Sequence, residues 1–404
     1  MNAAEFRVEV ENELSAILRY WMDRTPDPGN GGFIGRIDED DQPHPEAPRG
    51  QVLNSRILWT FSAAWRHTEQ RIYRTTADLA YEYVAEYFLD KEYGGAFWSL
   101  DASGRPLDTR KQIYGQAFTL YGLSEYYLAT RESAALDQAI GLWEVIEKYS
   151  FDSRRKGYYE AFARDWSGLD DPRLSEKDQG DPKTMNTHLH VLEAYTNLYR
   201  AWNDPRLLGR IRELLWVFER YIIGDKGHLS LFFSEDWNPR STLVSFGHDI
   251  EAAWLLHEAA RVIADGDWIE KTGGLAMELA RAAAEGLDVD GGLWYEREDD
   301  PAGGHEHGYR IVRQKHWWPQ AEAMVGFLQA WQLSDDPVWW QRSVGSWKFV
   351  KQYIRAARGE WFWGVDEDHG PIPGQDKAGF WKCPYHNGRA CMEIMRRLDR
   401  KPTN

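Results

Sequence analysis

Apolar residues recur along most of the chain at positions i, i+3, i+4 and i+7, the spacing of one helix face. Turn signals such as Asn203-Asp204-Pro205 and Ser334-Asp335-Asp336-Pro337 separate neighbouring stretches. Twelve helices are predicted in this way, at residues 3–24, 51–68, 71–90, 111–130, 133–152, 185–202, 205–224, 245–265, 269–288, 316–335, 338–357 and 385–400. The pattern therefore predicts an all-α protein.

Six turns in which glycine precedes aromatic or apolar residues follow the second helix of successive pairs. Their first glycines are Gly31, Gly94, Gly157, Gly227, Gly291 and Gly359, spaced by 63, 63, 70, 64 and 68 residues. A nearly fixed period indicates a repeated supersecondary unit. Helix 385–400 has no successor and helix 3–24 has no predecessor, so we expect these two to form the sixth pair.

Six pairs that join end to end predict a closed ring. The expected fold is an (α/α)6 barrel of twelve helices in six pairs, with short rim hairpins, as a single catalytic domain over residues 1–404. An open α-solenoid is the alternative, because stacked helix pairs need not close. The polar stretches 33–50, 160–184 and 292–315 are expected to be rim loops, and loops of this length are commonly functional.

The charge and the cysteine content exclude several classes of protein. A net charge of −16 leaves no basic excess to neutralise the phosphates of a nucleic acid or an anionic membrane. No apolar run approaches the roughly 20 residues of a membrane span, and the N-terminal stretch lacks the apolar segment of a signal peptide. Two cysteines, Cys383 and Cys391, provide neither a disulfide framework nor a zinc cluster. We expect a cytoplasmic monomer without metal or cofactor.

Candidate chemistry gathers where the first helix of each pair begins. If these helices form the inner layer, their N-terminal ends converge on one mouth. The side chains there are Arg56, Tyr114, Asn186, His188, His190, His248, Glu251, His316, Trp317, Trp318, His386, Asn387 and Arg389. Four of the six ends carry histidine, although the chain has only 12, and any one of them alone would be more typical of a helix cap or a core residue.

Several histidines beside an arginine suit proton transfer next to a carbonyl group, because imidazole both takes and gives a proton near neutral pH. Removal of the C2 proton of an open-chain aldose gives an enediolate, which Arg56 and His190 would stabilise. We assign the acid/base pair to His248 and His386. Glu251, three residues after His248, is expected to orient its imidazole. A proton returned to C2 gives the epimer, and one returned to C1 gives a ketose.

Five segments carry a more specific pattern: Asn54-Ser55-Arg56-Ile57-Leu58-Trp59, residues 185–193, Ser245-Phe246-Gly247-His248-Asp249-Ile250-Glu251, residues 316–322 and residues 381–389. In this order, over essentially the whole chain, they resemble the N-acylglucosamine 2-epimerase superfamily. The resemblance implies an (α/α)6 barrel that needs no metal or nucleotide. It further implies C2 epimerisation of the reducing-end glucose of β-1,4-linked disaccharides such as cellobiose and lactose.

The resemblance also implies roles for individual residues. His248, His386, His190 and Glu251 would be catalytic, and Arg56, Tyr114, Asp178, Asn186, Trp317, Trp318 and Trp381 would bind the substrate. Trp318 and Trp381 are expected to stack on sugar rings, a use of tryptophan that fits a chain with 21 of them. The choice of Trp318 over Trp317 stays open, because adjacent helical residues point about 100° apart.

Three other functions remain open at this point. An aldose–ketose isomerase acting on mannose would use the same enediolate. A glycoside hydrolase with an (α/α)6 barrel would need two carboxylates across the scissile bond. A non-catalytic sugar-binding protein would need neither an enediolate nor a pair of carboxylates. The partner in the preferred interpretation is a disaccharide, with no nucleic acid and no membrane.

Overall fold

The computed structural model describes residues 1–174, 180–299 and 308–399, apart from the side chain of Asp299. Six helices line the centre of this part of the chain, and each contacts the next around a ring in which the last contacts the first. They are α2 (Gln51–Thr68), α4 (Ile113–Thr130), α6 (Met185–Ala201), α8 (Phe246–Val262), α10 (Trp317–Ser334) and α12 (Tyr385–Asp399). The closed ring is confirmed, and the open solenoid is excluded by the contact between α12 and α2.

The other six helices surround this ring. They are α1 (Ala3–Arg24), α3 (Arg71–Tyr83), α5 (Ser133–Tyr149), α7 (Pro205–Val217), α9 (Gly266–Ala283) and α11 (Pro337–Phe349). The inner helices are buried on nearly every side, and all residues from Gln51 to Ala64 of α2 are buried, whereas α3 buries only one face. Residues 3–24 pack on α12, as the predicted sixth pair requires.

Three outer helices end earlier than their apolar pattern predicts. The α-helical bonds of α3, α7 and α11 give way to one π-helical turn each, at Val84–Phe88, Phe218–Ile222 and Val350–Ile354. The side-chain pattern continues through the wider turn, so periodicity alone does not detect the change.

Short antiparallel strands join the two ends of each helix pair at one rim. They are β1 (Arg49–Gly50), β2 (Ser99–Leu100), β3 (Pro106–Asp108), β4 (Lys111–Gln112), β5 (Ala161–Phe162), β6 (Lys183–Thr184), β7 (Phe232–Phe233), β8 (Leu243–Ser245), β9 (Glu296–Asp299), β10 (Tyr309–Val312), β11 (Lys315–His316) and β12 (Gly364–Val365). In the pair α2–α3, for example, β1 precedes α2 and pairs with β2, which follows α3. The predicted rim hairpins are confirmed, and the stretch 292–315, expected to be a loop, contains the paired strands β9 and β10.

The sixth pair closes in the same way. An isolated bridge joins Ile37, after α1, to Ala378, before α12, and the Ile37 N–H donates to the Ala378 carbonyl at 2.8 Å. The two ends of the chain therefore complete one unit, which gives the barrel its closure.

Ion pairs, four of them buried and one half-buried, hold five of the six rim turns to the start of an inner helix. They join Arg49 to Asp27, Lys111 to Asp90, Lys183 to Asp152, Lys315 to Asp288 and Lys382 to Glu360, at 2.5 to 2.9 Å. In the unit of α8 the corresponding residue is Val244, and His228 pairs with Asp249 instead, at 2.7 Å. This repeated anchoring fixes where each inner helix begins.

None of the described helices is both long and apolar enough to cross a membrane.

Candidate active site

A cavity of about 430 Å³ lies where the N-terminal ends of the inner helices meet, and we call it the mouth cavity. Its walls are formed by Arg56, Tyr114, Leu174, Asn186, His190, His248, Glu251, Tyr295, His316, Trp317, Trp318, Trp363, Trp381 and His386. Every residue to which the sequence assigned a catalytic or binding role is among them except Asp178, which lies outside the described residues, whereas His188, Asn387 and Arg389, also expected at the mouth, do not line the cavity.

His386, in the first turn of α12, contacts a carboxylate from a neighbouring inner helix. Its Nδ1 lies 2.7 Å from Glu322 Oε1, which leaves Nε2 available to the cavity. Burial and the nearby Arg56 hold the pKa of His386 well below its usual value. The imidazole is therefore neutral at physiological pH and can accept a proton.

His248, in the first turn of α8, also presents Nε2. Its Nδ1 lies 2.8 Å from Ser245 Oγ, and its ring packs 4.7 Å from the ring of Trp318. Burial lowers the pKa of His248 to about 3. The expectation that Glu251 orients His248 is wrong, because the serine that precedes α8 takes that position.

Glu251 points instead towards α12. Its Oε1 accepts from Arg389 Nη2 at 2.6 Å and lies 4.0 Å from His386 Nδ1, while Oε2 has no hydrogen-bond partner among the described residues. Burial, followed by repulsion from Glu322, raises the pKa of Glu251 to about 8. Glu251 is therefore a protonated acid at neutral pH.

His190 has its own carboxylate, from the next turn of α6. Its Nδ1 lies 2.9 Å from Glu193 Oε2, and Glu193 Oε1 accepts from Tyr385 and Arg389. Burial acts to raise the pKa of Glu193, but Arg389 and His190 outweigh it and lower the pKa to about 2. Because Glu193 stays ionised, His190 carries its proton on Nδ1 and offers Nε2 to the cavity.

Arg389 links these carboxylates beneath the cavity. Its guanidinium bonds Glu193, Glu251 and Glu322. Glu251, Glu322 and His386 are close enough to hold a metal ion, with ligand atoms within 4.8 Å of one another. Arg389 Nη2 already lies 2.6 and 2.7 Å from the two carboxylates, so the chain supplies a positive charge at this point itself.

Arg56 provides the second positive charge, at the cavity wall. Its Nη2 donates to the Tyr114 hydroxyl at 2.7 Å, and its guanidinium lies over the ring of Phe118 at 4.1 Å. Its Nε and the side-chain oxygen of Asn186 are buried without a partner among the described residues. Both groups can therefore bond a polar ligand without first giving up a protein partner.

Aromatic side chains cover much of the remaining wall. His316 stacks on Tyr295 at 3.9 Å, and Trp317 packs 4.5 Å from Trp363. The Trp318 ring lies against α8 at Gly247, where a Cβ would approach it to 2.6 Å. Trp317 and Trp318 both line the cavity, so the structure does not choose one over the other.

His188 faces away from the cavity, as the opposed directions of His188 and His190 predict. Its Nε2 accepts from the Tyr158 N–H at 2.8 Å, and its Nδ1 lies 2.6 Å from the Thr184 carbonyl. His188 thus holds a rim turn to α6. Gln116 and Gln320 do the same for their own units by accepting from Ala96 and Leu293.

The sequence model of N-acylglucosamine 2-epimerase (GlcNAc 2-epimerase) matches residues 32–390. The chain belongs to the N-acylglucosamine 2-epimerase family. It is 47% identical over 390 residues to the cellobiose 2-epimerase of Bacteroides fragilis, covering 96% of this chain and 98% of that protein. The structure of cellobiose 2-epimerase from Bacillus thermoamylovorans is similar at a TM-score of 0.91 and 39% identity, covering 98% of this chain and all of that one. A structure of D-mannose isomerase, at a TM-score of 0.82 and 21% identity over 96% of this chain and 97% of that one, shares the fold.

Sequence reasoning missed several residues of this epimerase-family site. They are Ser245, Glu193, Glu322, Tyr385, Tyr295 and Trp363. Glu193 follows His190 by three residues, so the spacing rule that was applied to Glu251 and His248 would have found it. Glu322 lies four residues after Trp318 on α10 and so on the same helix face, but nothing in the sequence connects it to His386.

Proposed function

We propose that the protein interconverts β-1,4-linked disaccharides that differ at C2 of the reducing-end sugar, converting cellobiose to glucosyl-mannose and lactose to epilactose. The observation that carries this proposal is the pair His248 and His386, two neutral imidazoles from different helices on one cavity. Membership of the epimerase family and the names of the similar proteins support the choice of substrate.

Ring opening comes first. The protonated Glu251 gives its proton to the ring oxygen, and His190 Nε2 takes the proton of the C1 hydroxyl. Paired with Glu193, the resulting imidazolium is stabilised where a negative oxygen forms next.

Proton transfer at C2 follows. One of His248 and His386 takes the C2 proton, and the electron pair moves onto the carbonyl oxygen to give an enediolate that His190 and Arg56 stabilise. The other imidazole takes a proton from water and delivers it to the opposite face of C2, and the first imidazole releases the C2 proton to water. The bonds made and broken are C–H, N–H and O–H only, so the step needs no redox cofactor.

The walls of the cavity suit a sugar. Neutral rings are bound by aromatic faces with a few placed polar groups, and the mouth cavity has both. We assign stacking to Trp318 and Trp381, hydrogen bonding to Asn186, Tyr114 and Arg56, and contact with the second sugar to Asp178. A single domain over residues 1–404, a monomeric state and a cytoplasmic location belong to the same proposal.

A glycoside hydrolase fits this geometry less well. Glu251 is the one carboxylate among the described residues that line the mouth cavity. Glu322 lies behind it on the same arginine nitrogen, so the two do not face each other across a bond. The isomerase alternative would use the same enediolate, and D-mannose isomerase shares the fold, but at 21% identity it is less similar to this chain than the cellobiose 2-epimerases.

Product analysis from cellobiose in D2O tests the proposal. We expect glucosyl-mannose with deuterium at C2. Glucosyl-fructose as the main product, or fructose from mannose with cellobiose inert, would establish the isomerase instead. Release of glucose would establish a hydrolase. The absence of any reaction would favour a non-catalytic sugar-binding protein.

A further inference from the structure

A second, smaller cavity lies on the barrel axis below the mouth cavity, and we call it the axial pocket. Its volume is about 60 Å³, and five of the six inner helices contribute to its walls. Its lining residues include Glu193 and Arg389, the groups that support His190 and Glu251. One layer of side chains therefore separates the two cavities.

Three buried polar atoms in the lining residues of the axial pocket have no partner among the described residues. They are Trp59 Nε1, Glu125 Oε2 and Arg389 Nε, on side chains that are at least nine-tenths buried. Two are donors and one is an acceptor, so the ligand that satisfies all three must both donate and accept. Water does so, and about 10–15 Å³ of such volume is enough for one molecule.

The axial pocket leads to the far end of the barrel. It shares Arg66, Arg200, Glu258 and Glu393 with a wider cavity of about 370 Å³ at the C-terminal ends of the inner helices. That cavity reaches solvent, since the Arg66 side chain is 48% exposed and Arg261 is exposed. Only one layer of shared side chains therefore lies between this solvent-open cavity and the axial pocket that Glu193 lines.

We propose that the axial pocket holds a chain of water molecules that exchanges protons between the active site and the far end of the barrel while the sugar fills the mouth cavity. This inference rests on the proposed epimerisation, in which His190 is protonated while the ring is open. The His190 imidazolium passes its Nδ1 proton to Glu193 Oε2, and the carboxylate, which is ionised at rest, gives it up at once to a pocket water; another proton returns by the same route. Only N–H and O–H bonds change.

Exchange at His190 also reaches the C2 proton. A proton that His248 or His386 has taken from C2 can exchange with the hydroxyl groups of the bound sugar, and these exchange with His190 on the same cavity. If the intermediate then returns to substrate, solvent hydrogen appears at C2 of the recovered disaccharide. The amount of solvent hydrogen at C2 of the recovered substrate, divided by the amount of product formed, therefore measures proton exchange that occurs while the sugar occupies the active site.

A substitution that fills the axial pocket tests this route. Thr196 lines the pocket and its hydroxyl donates to the Leu192 carbonyl at 2.7 Å, so Thr196→Leu adds bulk there, whereas Thr196→Val keeps the volume and serves as the matched control. In D2O at early conversion, we expect the ratio of substrate label to product to fall several-fold in Thr196→Leu and to stay at the wild-type value in Thr196→Val. Leu255→Phe, with Leu255→Met as control, repeats the test should Thr196→Leu not fold.

Equal ratios in the filled, control and wild-type proteins would overturn the exchange route. A crystal structure of the wild-type protein tests the water site without reference to activity. We expect ordered water within hydrogen-bond distance of Trp59 Nε1, Glu125 Oε2 and Arg389 Nε, and a dry pocket would overturn the proposal. Failure of the proposed function would look different, because the wild-type protein would then form no epimer from cellobiose.

Discussion

Glu322 and His386 lie 64 residues apart in the chain, yet Glu322 Oε1 is 2.7 Å from His386 Nδ1 in the floor of the mouth cavity. The same carboxylate oxygen accepts from Arg389 Nη2, and Glu322 Oε2 accepts from the Trp254 indole. Glu322 thus fixes the His386 imidazole, to which we assign proton transfer at C2, without lining the cavity itself. We regard it as a positioning residue.

Glu322→Gln should lower kcat strongly and leave KM nearly unchanged. The amide keeps the shape of the side chain but loses the charge that holds Arg389 and His386 in place, and loss of a supporting partner of this kind typically costs about 10–100-fold. Initial rates over a range of cellobiose concentrations measure the effect. Glu270→Gln, at an exposed position of α9, is the control and should match the wild type. A rise in KM with unchanged kcat would contradict the positioning role.

His248→Ala and His386→Ala should each fold normally and lose activity about 10²-fold or more, the usual scale for loss of an acid–base group. Circular dichroism and product formation from cellobiose measure the two properties separately. Two folded variants with wild-type turnover would refute the assignment of the proton-transfer pair.

His188→Ala should lower stability and keep activity, the opposite of what we expect for His248→Ala and His386→Ala. Since His188 bonds the rim turn at Tyr158 and the Thr184 carbonyl, its loss removes buried hydrogen bonds and leaves a cavity, at a cost of about 2–4 kcal/mol in the free energy of unfolding. We expect a clear fall in Tm with activity per folded molecule close to that of the wild type. A loss of turnover as large as that of His248→Ala would show that His188 acts in catalysis.

Because Glu251 is protonated in the fold at neutral pH, both the activity and the free energy of unfolding should fall as the pH rises. Its pKa is about 8 in the fold against 4.5 in the reference state, so the folded protein binds the extra proton between these values. The stability contribution is fully present below about pH 4.5, declines as the pH rises, and is lost above about pH 8. The acid function in ring opening disappears as Glu251 ionises at about pH 8.

Glu251→Gln tests both consequences. Urea unfolding at pH 6 and pH 9 should show a smaller loss of stability with pH than in the wild type, and the alkaline limb of kcat/KM assigned to Glu251 should vanish from the low residual activity. An unchanged alkaline limb would assign that ionisation to another group.

Gly247→Ala should damage sugar binding through Trp318. A Cβ at this position would lie 2.6 Å from the Trp318 ring, so the ring must move in the cavity wall. We expect KM for cellobiose to rise and Tm to fall slightly. Gly209→Ala in α7, where a Cβ meets nothing within 4 Å, should instead stabilise the protein by about 0.5–1 kcal/mol and leave KM unchanged. Equal KM values in the two variants would show that Trp318 does not bind the sugar.

The local pairings of the site show where sequence reasoning succeeds and fails. Spacing on one helix brings Glu193 to His190, and it suggested Glu251 for His248 by the same rule. The rule fails in the second case because Glu251 finds a stronger partner in Arg389, on another helix. Ser245, just before α8, then bonds His248.

The sequence by itself determined the twelve helices, their pairing, the closed ring and the cavity residues other than Leu174, Tyr295 and Trp363, because apolar periodicity and glycine turns are local signals. Only the tertiary structure decided that Glu322 supports His386 and that Glu251 binds Arg389. Those contacts join different helices across the barrel, and their strength depends on burial and on competition among Glu193, Glu251 and Glu322 for the single guanidinium of Arg389. The spacing of residues along the chain does not predict the outcome of that competition.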